Sequence, residues 1–158
     1  MFFRNALAQD GAALWSIVKN SGVLDLNSSY SYLMMGHYFS DTCMVAEGEQ
    51  LVGFVNGFIP PKQPDTLFIW QVAVNQAGRG QGIGLRLLQN LLQAQPSGKI
   101  KYLEATISPS NSASHALFGA AARSLNAEKL MSPLFPEQWF PPGHEEEELC
   151  RIGPFSLS

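Results

Sequence analysis

Two cysteines, Cys43 and Cys150, are too few to staple a chain of 158 residues, and both lie in apolar, strand-like stretches. They read as buried, reduced thiols. Three histidines add no metal-ligand spacing to them, so no metal site is expected. Charge is scarce too: charged residues make up 15%, the net charge is -3 and Lys and Arg form no cluster, which argues against nucleic acid or an anionic membrane as partner. The apolar runs fall far short of a membrane span, and the N-terminus lacks the basic-then-apolar layout of a signal peptide. With hydrophobic residues at 46%, extended disorder is not expected. One cytoplasmic domain over residues 1–158, with its own core, is the expectation.

The chain is organised around residues 67–92. In Leu67 to Val74 both alternating faces are largely apolar, which predicts a central strand buried on both sides. From Gly84, Leu85, Leu88, Leu91 and Leu92 recur at helical spacing. Between them stand Gly78, Gly80, Gly82 and Gly84, which let backbone N–H groups turn tightly toward a ligand. Unpaired amides at a helix start make an anion cradle, and Arg79 adds a full charge. Spacing decides which cradle this is. A dinucleotide loop needs a third glycine where Ile83 or Leu85 stands, and a phosphate loop needs a Gly-Lys-Ser/Thr ending that is missing.

Elsewhere, Phe2 to Arg4 predicts a first strand, followed by a helix capped by Asp10 and ending near Gly22. Asp25 and Asn27 precede a second helix with Ser28 or Ser29 as cap. Thr42 to Glu47 and Leu51 to Ile59 predict a hairpin turning at Gly48-Glu49, with Gly53 a bulge or a close backbone approach. Ile100 to Ile107 reads as a strand. It leads to a helix over residues 112–125, capped by Asn111, with Ala113, Ala116, Leu117, Ala120 and Ala121 as its packing side. Leu130 to Phe135 and Glu147 to Phe155 close the chain as strands, giving an α/β order with a mixed sheet of about seven strands flanked by helices.

The hexapeptide Arg79-Gly80-Gln81-Gly82-Ile83-Gly84, between that strand and that helix, resembles the acyl-CoA pyrophosphate loop of the Gcn5-related N-acetyltransferase superfamily. Four further blocks narrow the resemblance: Leu24 to Tyr32, Pro64 to Val74, Thr106 to Phe118 and His144 to Pro154 look like the diaminobutyrate acetyltransferase family of ectoine biosynthesis. The resemblance implies the single-domain acyl-CoA N-acyltransferase fold, acetyl-CoA as co-substrate, L-2,4-diaminobutyrate as acceptor and a homodimer. It also implies that the central strand and its successor splay apart, so that the pantetheine arm runs along Val72, Ala73 and Val74. The loop residues Arg79 to Gly84 would then hold the diphosphate, and Asn111 and Ser114 would bond the CoA arm.

An alkylamine with a pKa near 10.4 is free in only about one molecule in two thousand at neutral pH, so the site must remove a proton. The chain offers Asp25 and the run Glu145 to Glu148, which strand alternation would split into two pairs. The family match places the acidic positions at Glu145 and Glu147, as base or ammonium partner, with Asp25 a second anionic contact. Tyr30 is a candidate proton donor, Trp70 a cation–π partner, and Asn27 and His144 further substrate contacts. Arg4 and Arg151 are candidate partners for a substrate carboxylate. One departure stands out. Where many superfamily members carry a tyrosine that protonates the leaving thiolate, this chain has Phe118. Two alternatives stay open: the same fold acting on another small amine, or a silent acetyl-CoA-binding module.

Overall fold

The computed structural model describes residues 1–157. Along the chain run β1 (Phe2–Asn5), α1 (Gly11–Ser21), α2 (Ser29–Tyr38), β2 (Cys43–Glu47), β3 (Leu51–Phe58), β4 (Thr66–Val74), α3 (Ile83–Gln93), β5 (Tyr102–Ile107), α4 (Ser112–Ser124), β6 (Lys129–Phe135) and β7 (Glu147–Ile152). The strands form one mixed sheet in the order β1-β2-β3-β4-β5-β7-β6. Contacts divide the chain into two units, Met1–Phe58 with Trp70–Pro96, and Ile59–Ile69 with the chain from Ser97 onward, so β4 contributes to both.

In the first unit, β1 and β3 each pair antiparallel with β2, and Gly48 N–H closes the hairpin on the Gln50 carbonyl at 2.9 Å. Leu14, Ile17 and Val18 of α1 and Tyr32 and Met35 of α2 meet Cys43, Val45, Phe54 and Ala73 in one apolar core. Gly53 is a close approach: a Cβ there would lie 2.9 Å from the Ala73 carbonyl oxygen. On α3 the buried residues are Ile83, Leu87, Leu88, Leu91 and Leu92. Leu85, expected on that stripe, is only half-buried: it stands in the first turn, at the edge of the stripe, and Leu87 is buried as well.

Asp10 needs a correction. It precedes α1 but makes no side-chain cap there. Its carboxylate instead accepts the Leu7 N–H at 2.8 Å and two bonds from the Arg4 guanidinium, at 2.8 and 3.0 Å. That guanidinium holds the Asp10 carboxyl below the ordinary carboxylate range, against the opposing effect of burial. A group depressed in the fold stabilises it above the unfolded-state pKa of about 3.9 and stops doing so as pH falls through the folded value. Asp10→Asn is therefore expected to cost about 2 kcal/mol near neutrality. The gap between variant and wild-type melting temperatures should close as the melts are taken below about pH 4.

In the second unit, Thr66–Ile69 of β4 pair in parallel with Tyr102–Ala105 of β5. β7 lies between β5 and β6 and is antiparallel to both. β6 is thus an edge strand, and Pro133 within it suits an edge, where a missing N–H is tolerated. The last strand stops at Ile152 rather than Phe155. On α4 the buried residues are Phe118, Ala121 and Ala122, whereas Ala113 and Ala116, expected on the packing side, are exposed. Small alanines at helical spacing carry too little apolar surface to set a face against a phenyl ring.

The central strand departs from its expectation as well. Leu67, Ile69, Gln71 and Ala73 are buried, but Phe68, Val72 and Val74 are half-buried and Trp70 is 43% exposed. One face of β4 is open. Alternation cannot separate an apolar side chain that packs in a core from one that lines a surface.

Candidate active site

A glycine-rich turn carries β4 into α3, and the helix opens there without a side-chain cap. Asn75 turns the chain, its Oδ1 accepting the Gly78 N–H at 3.0 Å. Gly80 and Gly82 then adopt φ of +76° and +69°, conformations open to glycine at little cost. Gly82, as N-cap of α3, offers no side-chain acceptor, and the helical ladder begins with Arg86 N–H donating to the Gly82 carbonyl at 3.1 Å. The opening amides of α3 therefore depend on a ligand or water, and the positive end of the helix dipole lies with them. Arg79 and Gln81 are exposed on this turn, and Gln81 Nε2 donates to the Ala77 carbonyl. Ile83 is buried at 2% exposure, so only its backbone can serve a ligand. Upstream, Trp70 to Val74 extend β4 beyond the residues paired with β5, which end at Ile69.

Within the same unit, the segment between α1 and α2 carries the other candidates. Asp25 is exposed and Asn27 half-buried. Ser28 caps α2, its side chain accepting from Ser31 N–H. Tyr30, in the first turn of α2, is 66% exposed, while Tyr32 is 1% exposed. Two residues along a helix turn the side chain by about 200°, so one tyrosine faces water and the other the core. Tyr32 donates its hydroxyl proton to Gln71 Oε1 at 3.0 Å, and Gln71 Nε2 donates to the Asp25 carbonyl at 2.7 Å. Burial raises the Tyr32 pKa, keeping the phenol protonated. Neither Tyr32 nor Gln71 was among the expected site residues. The available signal was Gln71 itself: it is the one polar residue from Leu67 to Val74, and a buried amide must find partners.

The second unit carries the glutamate run. β7 begins at Glu147, so strand alternation does not reach Glu145 and Glu146, which lie in the irregular segment before it. Glu145 is exposed and accepts a hydrogen bond from the Ser110 hydroxyl. Glu147 stands opposite Phe135 in the β6–β7 register, half-buried, with its Oε2 screened from solvent. His144 is half-buried, stacked on Phe140 with ring centroids 4.0 Å apart and an interplanar angle of 7°. A cleft of about 320 Å³ is lined by Pro109, Glu137, Gly143, His144, Glu145 and Glu146. An acid-rich cleft of this kind suits a small cation. Asn111 caps α4, its Oδ1 accepting the Ser114 N–H at 3.1 Å, and Ser114 is half-buried in the first turn.

The arginines proposed for a substrate carboxylate are otherwise engaged. Arg4 is ion-paired with Asp10 and with Glu47. Arg151 pairs with Glu104 and stacks over the Tyr102 ring at 3.8 Å. The cysteines are free and buried, and burial pushes the Cys43 thiol up to about 11, so it carries almost no thiolate for attack at neutral pH. Among the described residues no cluster of three or more His, Cys, Asp and Glu side chains is placed to hold a metal ion. No helix among them is long and apolar enough to cross a membrane.

Comparison with known proteins fits this geometry. The acetyltransferase (GNAT) family matches residues 13–121. An L-2,4-diaminobutyric acid acetyltransferase of Shouchella clausii (strain KSM-K16) is 52% identical over 148 residues, covering 92% of this chain and 83% of the relative. That of Marinococcus halophilus is 51% identical over 156 residues, covering 98% and 90%. Among solved structures, the diaminobutyrate acetyltransferase of Paenibacillus lautus, in complex with L-2,4-diaminobutyric acid and coenzyme A, superposes with a TM-score of 0.93 at 41% identity, covering 99% of this chain and 96% of that one. The chain belongs to the acetyltransferase (GNAT) family and groups there with the L-2,4-diaminobutyric acid acetyltransferases.

Proposed function

We propose that this chain transfers an acetyl group from acetyl-CoA to the side-chain amine of L-2,4-diaminobutyrate, giving N4-acetyl-L-2,4-diaminobutyrate. The observation that carries the reading is the likeness, at 41% identity over 99% of the chain, to an enzyme structure holding that amino acid and coenzyme A. Its coverage also supports one N-acetyltransferase domain over residues 1–158. In this reading the amides of Gly80 to Gly84 and the Arg79 charge hold the diphosphate, and the backbone of Val72, Ala73 and Val74 lines the pantetheine arm with Asn111 and Ser114. Glu147 takes the proton from the substrate ammonium, directly or through water. Glu145, Asp25, Asn27, His144 and the Trp70 and Tyr30 rings receive the substrate's charges and stem.

The free amine attacks the thioester carbon, an amide C–N bond forms, the C–S bond breaks and the CoA thiolate leaves, while the second proton of the attacking nitrogen passes to solvent. Phe118 is 4% exposed and has no proton to give. A thiolate with a pKa near 8.5 leaves readily enough to do without one, taking its proton from solvent or from Tyr30. In this reading the product is the precursor that a cyclising enzyme closes to ectoine, and the enzyme serves osmoprotection from the cytoplasm.

We read the assembly as a homodimer. Leu130, Leu134 and Phe135 on the edge strand and Trp139 beyond it are 38–70% exposed, more apolar surface than a lone edge usually leaves open. Comparing acetyl transfer to diaminobutyrate, ornithine, lysine and putrescine tests the substrate. Diaminobutyrate is expected to have the highest kcat/KM. Preference for another amine would reassign the acceptor, and acetyl-CoA binding without release of CoA from any of the four would mark a silent module.

A further inference from the structure

The segment between α1 and α2 has no regular secondary structure over residues 22–28, and Val23, Asp25 and Leu26 are exposed. Such a segment would ordinarily sample many conformations. Here two buried side chains pin it. Gln71, 9% exposed in the middle of β4, donates from Nε2 to the Asp25 carbonyl at 2.7 Å. Its Oε1 accepts from Tyr32 OH at 3.0 Å, and the Tyr32 oxygen is in turn hydrogen-bonded by Asn27. Tyr32 is itself fixed at 1% exposure, edge-on to Phe54 with centroids 6.1 Å apart. A planar amide with one donor on the loop and one acceptor on a buried phenol has a single orientation that satisfies both. Gln71 also stands between Trp70 and Val72, whose side chains point to the opposite face of the strand.

We infer that Gln71 and Tyr32 form a positioning clamp that sets Asp25 and Asn27 relative to Trp70 and Val72 of β4, and so fixes the length of diamino acid accepted. This rests on the proposed reaction, in which those residues meet the substrate and the acyl donor. The clamp does not touch the reacting atoms. It determines the span from the loop to the strand, and one methylene group in a well-formed site is discriminated by about 10- to 200-fold. A loop free to shift by an ångström or two would blur that choice between diaminobutyrate and ornithine, which is one carbon longer.

Gln71→Met keeps the volume and removes both hydrogen bonds; Tyr32→Phe removes one hydroxyl. Two measurements on each full-length variant separate clamp from reaction. Hydrogen exchange at the amides of residues 23–27, without substrate, is expected to accelerate by about tenfold or more in Gln71→Met and by less in Tyr32→Phe. Steady-state kinetics of Gln71→Met should show KM for diaminobutyrate raised by about tenfold and the preference over ornithine reduced by about tenfold, with the acetyl-CoA Kd held within about twofold. A residue that merely supports the fold would lower the melting temperature and leave the preference unchanged. Unchanged exchange overturns the clamp. Faster exchange with an unchanged KM and ornithine preference overturns its positioning role. A wild-type enzyme inactive on diaminobutyrate overturns the reaction assigned above, and the exchange result still decides whether the clamp exists.

Discussion

Glu147→Gln should lower kcat/KM for diaminobutyrate by about 100- to 10,000-fold, the span expected when a positioned general base is removed. Glu147 is singled out from its acidic neighbours by its place at the first residue of β7, half-buried, with one carboxylate oxygen out of water. Glu145 lies in the irregular segment before the strand, exposed and tied to Ser110, so Glu145→Gln should cost about tenfold at most, as the loss of one exposed charge contact. The pH profile identifies the role. In the wild type, kcat/KM falls on the acid side as the base takes up its proton. In Glu147→Gln that limb disappears, and activity recovers with rising pH as the amine, of pKa near 10.4, deprotonates without help. Acetyl-CoA affinity should not move if, as proposed, the carboxylate serves the acceptor amine. A variant within about threefold of wild type across pH would show that another group, or water alone, takes the proton.

Gly82→Val should weaken acetyl-CoA binding by about 100-fold while leaving the fold largely intact. Gly82 holds a φ of +69°, and a Cβ built on it meets nothing within 4 Å. The protein itself has room for a side chain. The penalty is conformational: a β-branched residue in the left-handed region is strained by about 1–2 kcal/mol, and relieving that strain rotates the opening amides of α3 away from the diphosphate. Losing two charge-assisted hydrogen bonds at about 1.5 kcal/mol each corresponds to the expected factor. Gly78 makes the contrast. A Cβ there would lie 2.9 Å from Val74 Cγ1 and 3.1 Å from Ile83 Cδ1, so Gly78→Ala acts on packing and should show in the melting temperature before it shows in affinity. Calorimetric titration of both variants with acetyl-CoA, beside their thermal melts, checks the pair. Tight binding by Gly82→Val would remove the turn from the cofactor site.

Local signals in the chain carried much of this architecture. Ser28 and Asn111 cap their helices as their residue types and positions suggest, and Gly80 and Gly82 take the positive φ that a tight turn demands. Those features depend on neighbours a few residues away. The failures depend on the rest of the fold. Phe68, Trp70, Val72 and Val74 are as apolar as a core face, and nothing in their spacing distinguishes a partly exposed surface from a packed one. On α2, apolar residues surround the helix, so periodicity gave no reason to prefer Tyr32, which is buried, over Tyr30, which is exposed. The last strand begins at Glu147, as its pattern suggests, so the alternation extended to Glu145 and Glu146 does not apply to them, and the strand's far end falls at Ile152 rather than Phe155. The insertion of β7 between β5 and β6 is a pairing of distant segments, which no local pattern encodes.

The most direct test is acetyl transfer followed to its product. Purified protein, acetyl-CoA and L-2,4-diaminobutyrate are incubated together, CoA release is recorded against time, and the position of the new amide is read by two-dimensional NMR. The account predicts stoichiometric CoA release, saturable in both substrates, with the acetyl group on N4. CoA release no faster than in the absence of the diamino acid, or an acetyl group on the α-nitrogen, would contradict it.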